Sequence, residues 1–381
     1  METGQNSQAA KAGPYRGEVV YIYAFDLAYD MKREPVREIL SVPVKEYSVM
    51  PTKRSPKRLF FYRPQIVSLP PETRQGPHGA VEVQRSVKLF NVGAISIQVR
   101  VPFEVGRIED LVGYHNLSFA TGSVEDEANK LAEQVRRELE PYCIRPLPRL
   151  SQGEDYTVFC FYELPGKGDG PSVRTEDWLM ANRRQVAGLL TEEEDSANLS
   201  EQEANESTGQ YLSYYYSDLV VVDWDAALVI GARDGLDDIL HIMELANVQL
   251  VELSAYDRIL DESLELAYRD VARRTAPGRG QVRRNLREIR VDLARFSDEL
   301  SNITKFFGDW HLARMYENLS SRFHLGDWQR VIDEKLNTLG DLYQLLQRDW
   351  NNFWMVVLEA TIVLLFIIDL ILVLLSLRGV R

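Results

Sequence analysis

Cysteine is scarce in this sequence, which has 381 residues and only two cysteines, Cys143 and Cys160. Neither belongs to a CxxC pair, so we predict neither a disulfide framework nor a thiolate metal site. Histidine is also rare, with five residues and no spacing typical of metal ligands. The sequence therefore predicts no metal and no cofactor.

Signatures of catalysis are missing as well. The sequence GKGDG at residues 166–170 lacks the GK[ST] ending of a phosphate-binding loop, and we interpret it as a turn. No GxSxG or other nucleophile motif occurs in the chain. We predict that the protein is not an enzyme and has no small-molecule substrate. The weaker alternative is an enzyme whose site is built from dispersed residues.

The beginning of the chain has no apolar run, whereas its end has a long one. Residues 353–377 are apolar at all but four positions. At about 1.5 Å per residue, a helix of this length crosses the roughly 30 Å hydrocarbon core of a bilayer. We predict a transmembrane helix over residues 351–377, followed by a short tail over residues 378–381.

Two of the polar positions in this run are acids, Glu359 and Asp369. Ten residues at about 100° each place them about 80° apart around a helix, so they can share a face. An ionisable side chain inside a span suggests a function. Three interpretations remain open: a polar seam between copies of the helix, an ion or proton path, or two tolerated acids with Glu359 reaching toward the interface.

The first half of the chain has the pattern of a mixed domain. Residues 1–17 are small and polar, and we predict that they are disordered. Residues 18–25 are apolar on both faces, which predicts a central strand. Apolar residues then alternate over 81–89 and 95–103 around an Asn-Val-Gly turn, which predicts a hairpin with one buried face.

A helix and a further strand complete this domain. Ser123 and Asp126 form a capping-box-like start, and apolar residues then recur at helical spacing until Pro141. Residues 156–162 have the β-branched and aromatic content of a strand. Together these elements predict an α+β N-terminal domain over residues 18–190.

Two short segments follow the domain. Residues 191–208 are rich in Glu, Ser and Asn, and we predict a solvated acidic linker. Residues 209–231 contain two short apolar runs around Asp223 and Asp225. We predict that they form a β-ribbon at the edge of the same sheet.

From residue 235 the apolar period changes from two residues to three and four. One stripe runs from Leu236 to Val271, and a second, after a Pro-Gly pair, from Val282 to Phe307. The last helix carries the same spacing into the apolar run. The pattern predicts an all-α antiparallel coiled-coil or helical-bundle stalk over residues 235–350.

The net charge of −13 argues against general nucleic-acid binding, but arginines crowd the turn between the first two long helices. They are Arg273, Arg274, Arg279, Arg283, Arg284, Arg287 and Arg290. This basic turn is a candidate site for an acidic protein or RNA. The alternative is a solvated tip, partly neutralised by the acids of the predicted linker.

Three stretches resemble the "required for meiotic nuclear division" family, whose members are membrane-anchored proteins of bacteria and mitochondria. They are YIYAFD at residues 21–26, KLNTL at 335–339, and the span sequence at 358–370, with an acid near its head and another ten residues later. The resemblance implies an oligomeric membrane-anchored scaffold, which in mitochondria is associated with organelle translation. It implies no catalytic residues.

We therefore expect a single-pass, tail-anchored membrane protein, with its soluble part in the compartment of synthesis. We expect the bacterial inner membrane with a cytoplasmic soluble part rather than the mitochondrial inner membrane. The expected function is a scaffold or tether that forms a homo-oligomer through its helical stalk and span. The alternative is a subunit of an ion-conducting assembly with magnesium-channel-like architecture, although the Gly-Met-Asn signature of that family is absent.

Overall fold

A computed structural model of the chain describes residues 14–378 except 33, 48–63, 78, 148, 151–152, 166–173, 274–290 and 292–309. The chain divides into two compact units. The first unit contains Met1–Ala255 and Arg295–Trp328, and the second contains Tyr256–Ala294 and Gln329–Arg381.

Strands dominate the first half of the chain and helices the second. The strands are β1 (Tyr15–Asp26), β2 (Ala28–Met31), β3 (Glu38–Ile39), β4 (Val42–Pro43), β5 (Lys45–Glu46), β6 (Gln65–Ser68), β7 (Glu72–Gly76), β8 (Gly79–Leu89), β9 (Ala94–Val105), β10 (Ser118–Phe119), β11 (Gly122–Ser123), β12 (Cys143–Pro146), β13 (Glu154–Glu163), β14 (Tyr211–Leu212), β15 (Leu219–Val222) and β16 (Ala226–Ile230). The helices are α1 (Val124–Leu139), α2 (Thr175–Ala181), α3 (Arg183–Leu190), α4 (Glu201–Gly209), α5 (Leu236–Arg273), α6 (Trp310–Arg322) and α7 (Leu325–Arg378). Short 3-10 helices occur at Ile108–Tyr114, Glu140–Tyr142, Ser196–Asn198 and Arg233–Gly235.

The first unit is built on one mixed sheet, which confirms the predicted α+β class for this part of the chain. Among the described residues the sheet has ten strands in the order β14-β15-β16-β13-β1-β9-β8-β6-β5, and β7 also pairs with β8. Its neighbours are antiparallel except for β13 and β16, which run parallel. β1 lies between β9 and β13, so the prediction of a central strand is confirmed.

The predicted hairpin is also present, because β8 and β9 pair around the turn that contains Gly93. The φ angle of Gly93 is +97°, and a Cβ at this position would lie 2.0 Å from the carbonyl oxygen of Ala28. The Gly93 carbonyl accepts the N–H groups of Leu27 and Ala28. Glycine is therefore required for both the backbone conformation and the close approach of the two segments.

One face of the sheet carries the main hydrophobic core. It contains the odd-numbered residues of β1 and β9, together with apolar residues of α1 and α3. Helix α1 begins as predicted, with Ser123 Oγ accepting the N–H of Asp126 at 3.0 Å. The Tyr21 hydroxyl donates to the Tyr114 carbonyl at 2.5 Å, so this buried hydroxyl is hydrogen-bonded.

The other face of the sheet differs from the prediction of a hairpin with one buried face. Ser96 and Gln98 of β9 and Lys88 of β8 are polar and are 0%, 3% and 3% exposed. The first half of α5 lies over them, and residues 240–249 of that helix are all buried. The helix supplies Glu244 as the polar partner of Lys88 and Ser96, which is why these two side chains can be removed from water.

The acidic segment is folded, so the prediction of a solvated linker over residues 191–208 is wrong. Ser200 caps α4 by accepting the N–H of Glu203 at 3.0 Å. Ala204, Ser207 and Thr208 are buried, while the glutamates of this helix face solvent. Helix α4 therefore buries one small-residue face and exposes an acidic one.

Two other boundaries differ in detail. Strand β1 begins at Tyr15, inside the stretch predicted to be disordered, because Tyr15 pairs with Val105 and its ring packs 5.5 Å from that of Phe161. Residues 1–13 lie outside the described part of the chain. The predicted β-ribbon is present as β15 and β16, and β16 joins it to the sheet through β13.

The second unit contains the end of α5 and most of α7. Lys335 Nζ lies 2.6 Å from carboxylate oxygens of both Asp257 and Asp261. Apolar side chains beside these ion pairs are buried at heptad-like spacing on α7 and on α5: Ile332, Leu336, Leu339, Tyr343, Leu260 and Ala267. Helix α7 has 54 residues, as the unbroken pattern predicts.

The predicted stalk starts too early in the sequence. The first half of α5 belongs to the first unit and is a core helix, since apolar and polar residues alike are buried around it. The second helix of the predicted hairpin, with its stripe from Val282 to Phe307, lies outside the described residues apart from Val291. The antiparallel coiled coil therefore stays a prediction.

Candidate functional site

Helix α7 contains one segment long and apolar enough to cross a membrane. The 18 residues Trp354–Ile371 have a mean hydropathy of 2.4, and none of this segment is buried within the structure. At about 1.5 Å per residue the segment is about 27 Å long, close to the thickness of a hydrocarbon core. We call these residues the apolar segment.

Both predicted intramembrane acids, Glu359 and Asp369, lie in the apolar segment and are exposed. The hydroxyl of Thr361 donates to the carbonyl of Val357 at 2.7 Å. This bond satisfies the polar group within its own helix, which is the usual arrangement for threonine in a membrane helix. The two carboxyl groups are thus the remaining polar groups whose role the sequence leaves open.

The predicted basic turn falls mostly outside the described part of the chain. Arg273 is the last residue of α5 in the structure. Outside the described residues lie Arg274, Arg279, Arg283, Arg284, Arg287 and Arg290. The proposed acidic partner of this turn therefore stays a prediction.

The structure reveals a buried charge cluster that the sequence did not predict. Lys88 Nζ on β8 donates to Glu244 Oε2 on α5, and Ser96 Oγ on β9 donates to Glu244 Oε1 at 3.0 Å. The Lys88 and Glu244 side chains are 4% and 0% exposed. Three groups from a hairpin and a helix that are far apart in sequence thus share one water-excluded site.

Two rings complete the cluster. Lys88 Nζ lies 4.2 Å from the centre of the Tyr47 ring, a cation–π contact, and the Tyr47 and His241 rings are 5.1 Å apart. Burial lowers the pKa of His241, and the Lys88 charge lowers it further against the opposing effect of Glu244. His241 is therefore neutral at pH 7.

The charge on Glu244 is maintained by its neighbours. Burial alone would raise the pKa of this carboxyl group, but the Lys88 ammonium and the His241 ring, whose Nδ1 lies 3.9 Å from Glu244 Oε2, lower it below its usual value. Glu244 is therefore ionised and paired. An ammonium group held by a carboxylate is a poor nucleophile, so the arrangement does not favour covalent chemistry. The cluster instead binds α5 to the sheet.

Further polar contacts join α5 to the same face of the sheet. Arg100 on β9 lies 2.6 Å from Asp237 and 3.4 Å from Glu18. The Asn247 side chain donates to the Glu154 carbonyl at 2.9 Å. Asp237, Glu244 and Asn247 of α5 are thus structural partners of the strands. No group of metal-ligating side chains occurs in the described residues.

Comparisons with known proteins match the sheet region of the chain. The family model described as "Uncharacterized protein MJ0711, N-terminal domain" matches residues 16–237. The protein called "Uncharacterized protein MJ0711" from Methanocaldococcus jannaschii is 23% identical over 222 residues. That alignment covers 58% of this chain and 66% of the relative, just under two thirds of its length. No solved structure matches the chain.

Proposed function

The chain belongs to the MJ0711 N-terminal domain family, and we propose that in this member the family domain is the head of a single-pass membrane scaffold. The head is the sheet domain that the family model matches over residues 16–237. The anchor is the apolar segment of α7. The protein would hold its head at a membrane surface and bring copies or partners together there.

The observation that carries this proposal is that no residue of the apolar segment is buried. Phe366, Leu365 and Leu370 are 71%, 60% and 61% exposed. Soluble proteins rarely expose a contiguous apolar surface of this kind. In a bilayer each Leu, Ile, Phe or Val near the centre of the segment instead contributes about −0.3 to −0.6 kcal/mol to insertion.

Self-association is the second part of the proposal. Unsatisfied carboxyl groups are costly in hydrocarbon, so Glu359 and Asp369 would be stabilised by hydrogen bonds between copies of the helix. The resemblance to the "required for meiotic nuclear division" family supports the same oligomeric scaffold. On this proposal the head faces the compartment of synthesis, which in a bacterium is the cytoplasm.

Membrane attachment is tested by fractionating cells that produce the full chain. We expect the protein in the membrane pellet, and we expect it to stay there after washing with alkaline carbonate, because a spanning helix is not removed by high pH. Release into the supernatant by carbonate would show peripheral binding. Recovery in the supernatant of untreated lysate would overturn the proposal.

The polar seam is tested with the double substitution Glu359→Leu and Asp369→Leu. We expect the mass of the complex in mild detergent to fall to that of a monomer, because the interhelical hydrogen bonds are lost. The matched control changes two exposed acids of α7 outside the apolar segment, Glu334→Leu and Asp341→Leu, and should leave the mass unchanged.

An unchanged mass in the Glu359→Leu and Asp369→Leu variant would exclude the seam.

The same variants also separate the scaffold from the ion-conducting alternative. A conducting assembly would produce ion flux in liposomes that depends on the two acids. A scaffold would produce none with either the natural chain or the double variant.

A further inference from the structure

A pocket of about 490 Å³ opens in the first unit, and none of the side chains of the buried charge cluster lines it. It lies where the parallel strands β13 and β16 end and where the chain passes from β16 into α5. The carboxyl end of parallel strands is a common position for ligand sites, because the loops that follow the strands diverge there. The volume is within the range of about 300–1,000 Å³ that small-molecule sites occupy.

The walls of the pocket are mainly aromatic and aliphatic. Tyr162 at the end of β13 and the adjacent Tyr214 and Tyr215 contribute three phenol rings. The Tyr214 and Tyr215 rings pack edge to face with centres 4.7 Å apart, and the Tyr214 ring lies 5.6 Å from that of His311 on α6. These contacts hold Tyr214 between two other rings, so part of the wall is ordered without a ligand.

The charged side chains that line the pocket are acidic, and Arg233, which lies outside the lining, is 5.5 Å from the centre of the Tyr162 ring. Asp218 and Asp238 line it, and no lysine or arginine does so among the residues that the structure describes. Asp218 Oδ1 accepts the backbone N–H groups of Tyr214 and Tyr215 at 2.7 and 3.0 Å, which fixes the tyrosine loop around a carboxylate. The acids in the first turn of α5 also offset the positive end of its dipole, so this helix terminus does not favour an anion.

We propose that this pocket binds an organic cation, namely an ammonium group attached to an apolar body. The faces of the Tyr214 and Tyr215 rings attract cations through their quadrupole, and the two nearby carboxylates add a long-range attraction. The aliphatic wall, which includes Val229 and Ile239, takes the apolar body. The ammonium group could belong to a free amine or to the headgroup of a lipid, and both present the same chemistry.

The proposal is tested by calorimetric titration of the full chain in maltoside micelles with three probes of the same aromatic body. They are benzyltrimethylammonium, which is cationic, benzyl alcohol, which is neutral, and benzenesulfonate, which is anionic. We expect the cation to bind at least tenfold more tightly than either of the others. Equal binding of all three, tighter binding of benzenesulfonate, or no binding of the cation at millimolar concentration would overturn the proposal.

Neighbouring tyrosines provide a matched pair of variants. Tyr215 lines the pocket and is 61% exposed, whereas Tyr216 is 70% exposed and lies outside the lining. Because both side chains are largely in solvent, neither substitution should prevent folding. Tyr215→Leu is expected to weaken benzyltrimethylammonium binding at least fivefold, and Tyr216→Leu to change it less than twofold. An equal effect of the two substitutions would place the cation elsewhere on the protein.

The source of the ammonium group is distinguished by presenting it in a bilayer. The full chain is reconstituted in nanodiscs of phosphatidylglycerol alone or with phosphatidylcholine, and benzyltrimethylammonium is titrated into each. Weaker binding in the choline-containing discs, with the difference between the two discs lost in the Tyr215→Leu variant, would identify a lipid headgroup as a competing ligand. Equal binding in both discs would identify a free amine as the ligand.

Discussion

Replacing Glu244 with glutamine is expected to lower the melting temperature of the protein by about 6–20 °C. The substitution keeps the shape of the side chain but leaves the Lys88 ammonium buried without a counter-charge. Removing one partner of a buried ion pair costs about 3–5 kcal/mol, and in a domain of this size each kcal/mol lowers the melting temperature by about 2–4 °C. Circular dichroism of the full chain in detergent measures the change.

A double-mutant cycle separates the cost of leaving the Lys88 charge unpaired from the cost of losing the Glu244 carboxylate. We expect Lys88→Met combined with Glu244→Gln to be more stable than Glu244→Gln alone, because no buried charge remains and the amide still accepts from Ser96. The control is Glu104→Gln, which breaks an exposed ion pair with Arg16. That substitution should cost less than about 1 kcal/mol.

Two outcomes would contradict this account of the charge cluster. One is a Glu244→Gln variant that melts at the same temperature as the Glu104→Gln control. The other is a double variant less stable than both single variants, which would mean that Lys88 and Glu244 stabilise the fold independently of each other.

The double substitution Leu364→Arg and Leu365→Arg is expected to move the protein from the membrane to the soluble fraction. Each arginine at the centre of a span opposes insertion by about 2.5–3.5 kcal/mol and also removes the contribution of a leucine. The total of roughly 6–8 kcal/mol is comparable to the whole apolar driving force of a segment that already contains Glu359 and Asp369. Fractionation of cell lysate, with quantification of both fractions, measures the shift.

The matched control places the same arginine on a helix outside the apolar segment. Leu266 on α5 is 52% exposed, so Leu266→Arg should leave the protein in the membrane fraction. A second control, Leu364→Ala with Leu365→Ala, shortens the side chains without adding charge and should also leave it there. Retention of the Leu364→Arg and Leu365→Arg variant in the carbonate-washed pellet would show that the apolar segment does not anchor the protein.

The strands of the head were predictable because their signal is local. Alternation over two residues located β8 and β9, and uninterrupted apolar sequence located β1 as the central strand. The same alternation gave the wrong environment for the polar residues between them. Lys88 and Ser96 are buried because Glu244 lies opposite, 156 and 148 residues away, and no periodicity connects residues across that distance.

The sequence located helices α1, α5 and α7 but not α4, and it predicted the wrong surroundings for the first half of α5. The stripe from Leu236 matched a coiled coil because a core helix and a coiled coil both repeat apolar residues every three or four positions. The discriminating signal was polar: His241, Glu244 and Asn247 interrupt the apolar sequence at positions that a solvent-exposed stalk would not need to bury. The acidic composition of α4 hid its small buried face in the same way, because three small residues carry little hydrophobic signal.

Strand β1 is the first long strand of the chain, yet its two neighbours, β9 and β13, are made much later. The nascent chain must therefore keep an apolar β1 with both edges unpaired until distant sequence arrives, and such open edges invite pairing with other chains. Long-range pairing also slows folding. Yield of the native protein should consequently depend on translation speed and on chaperones that shield a strand, and a fragment that starts after β1 should fail to assemble the sheet.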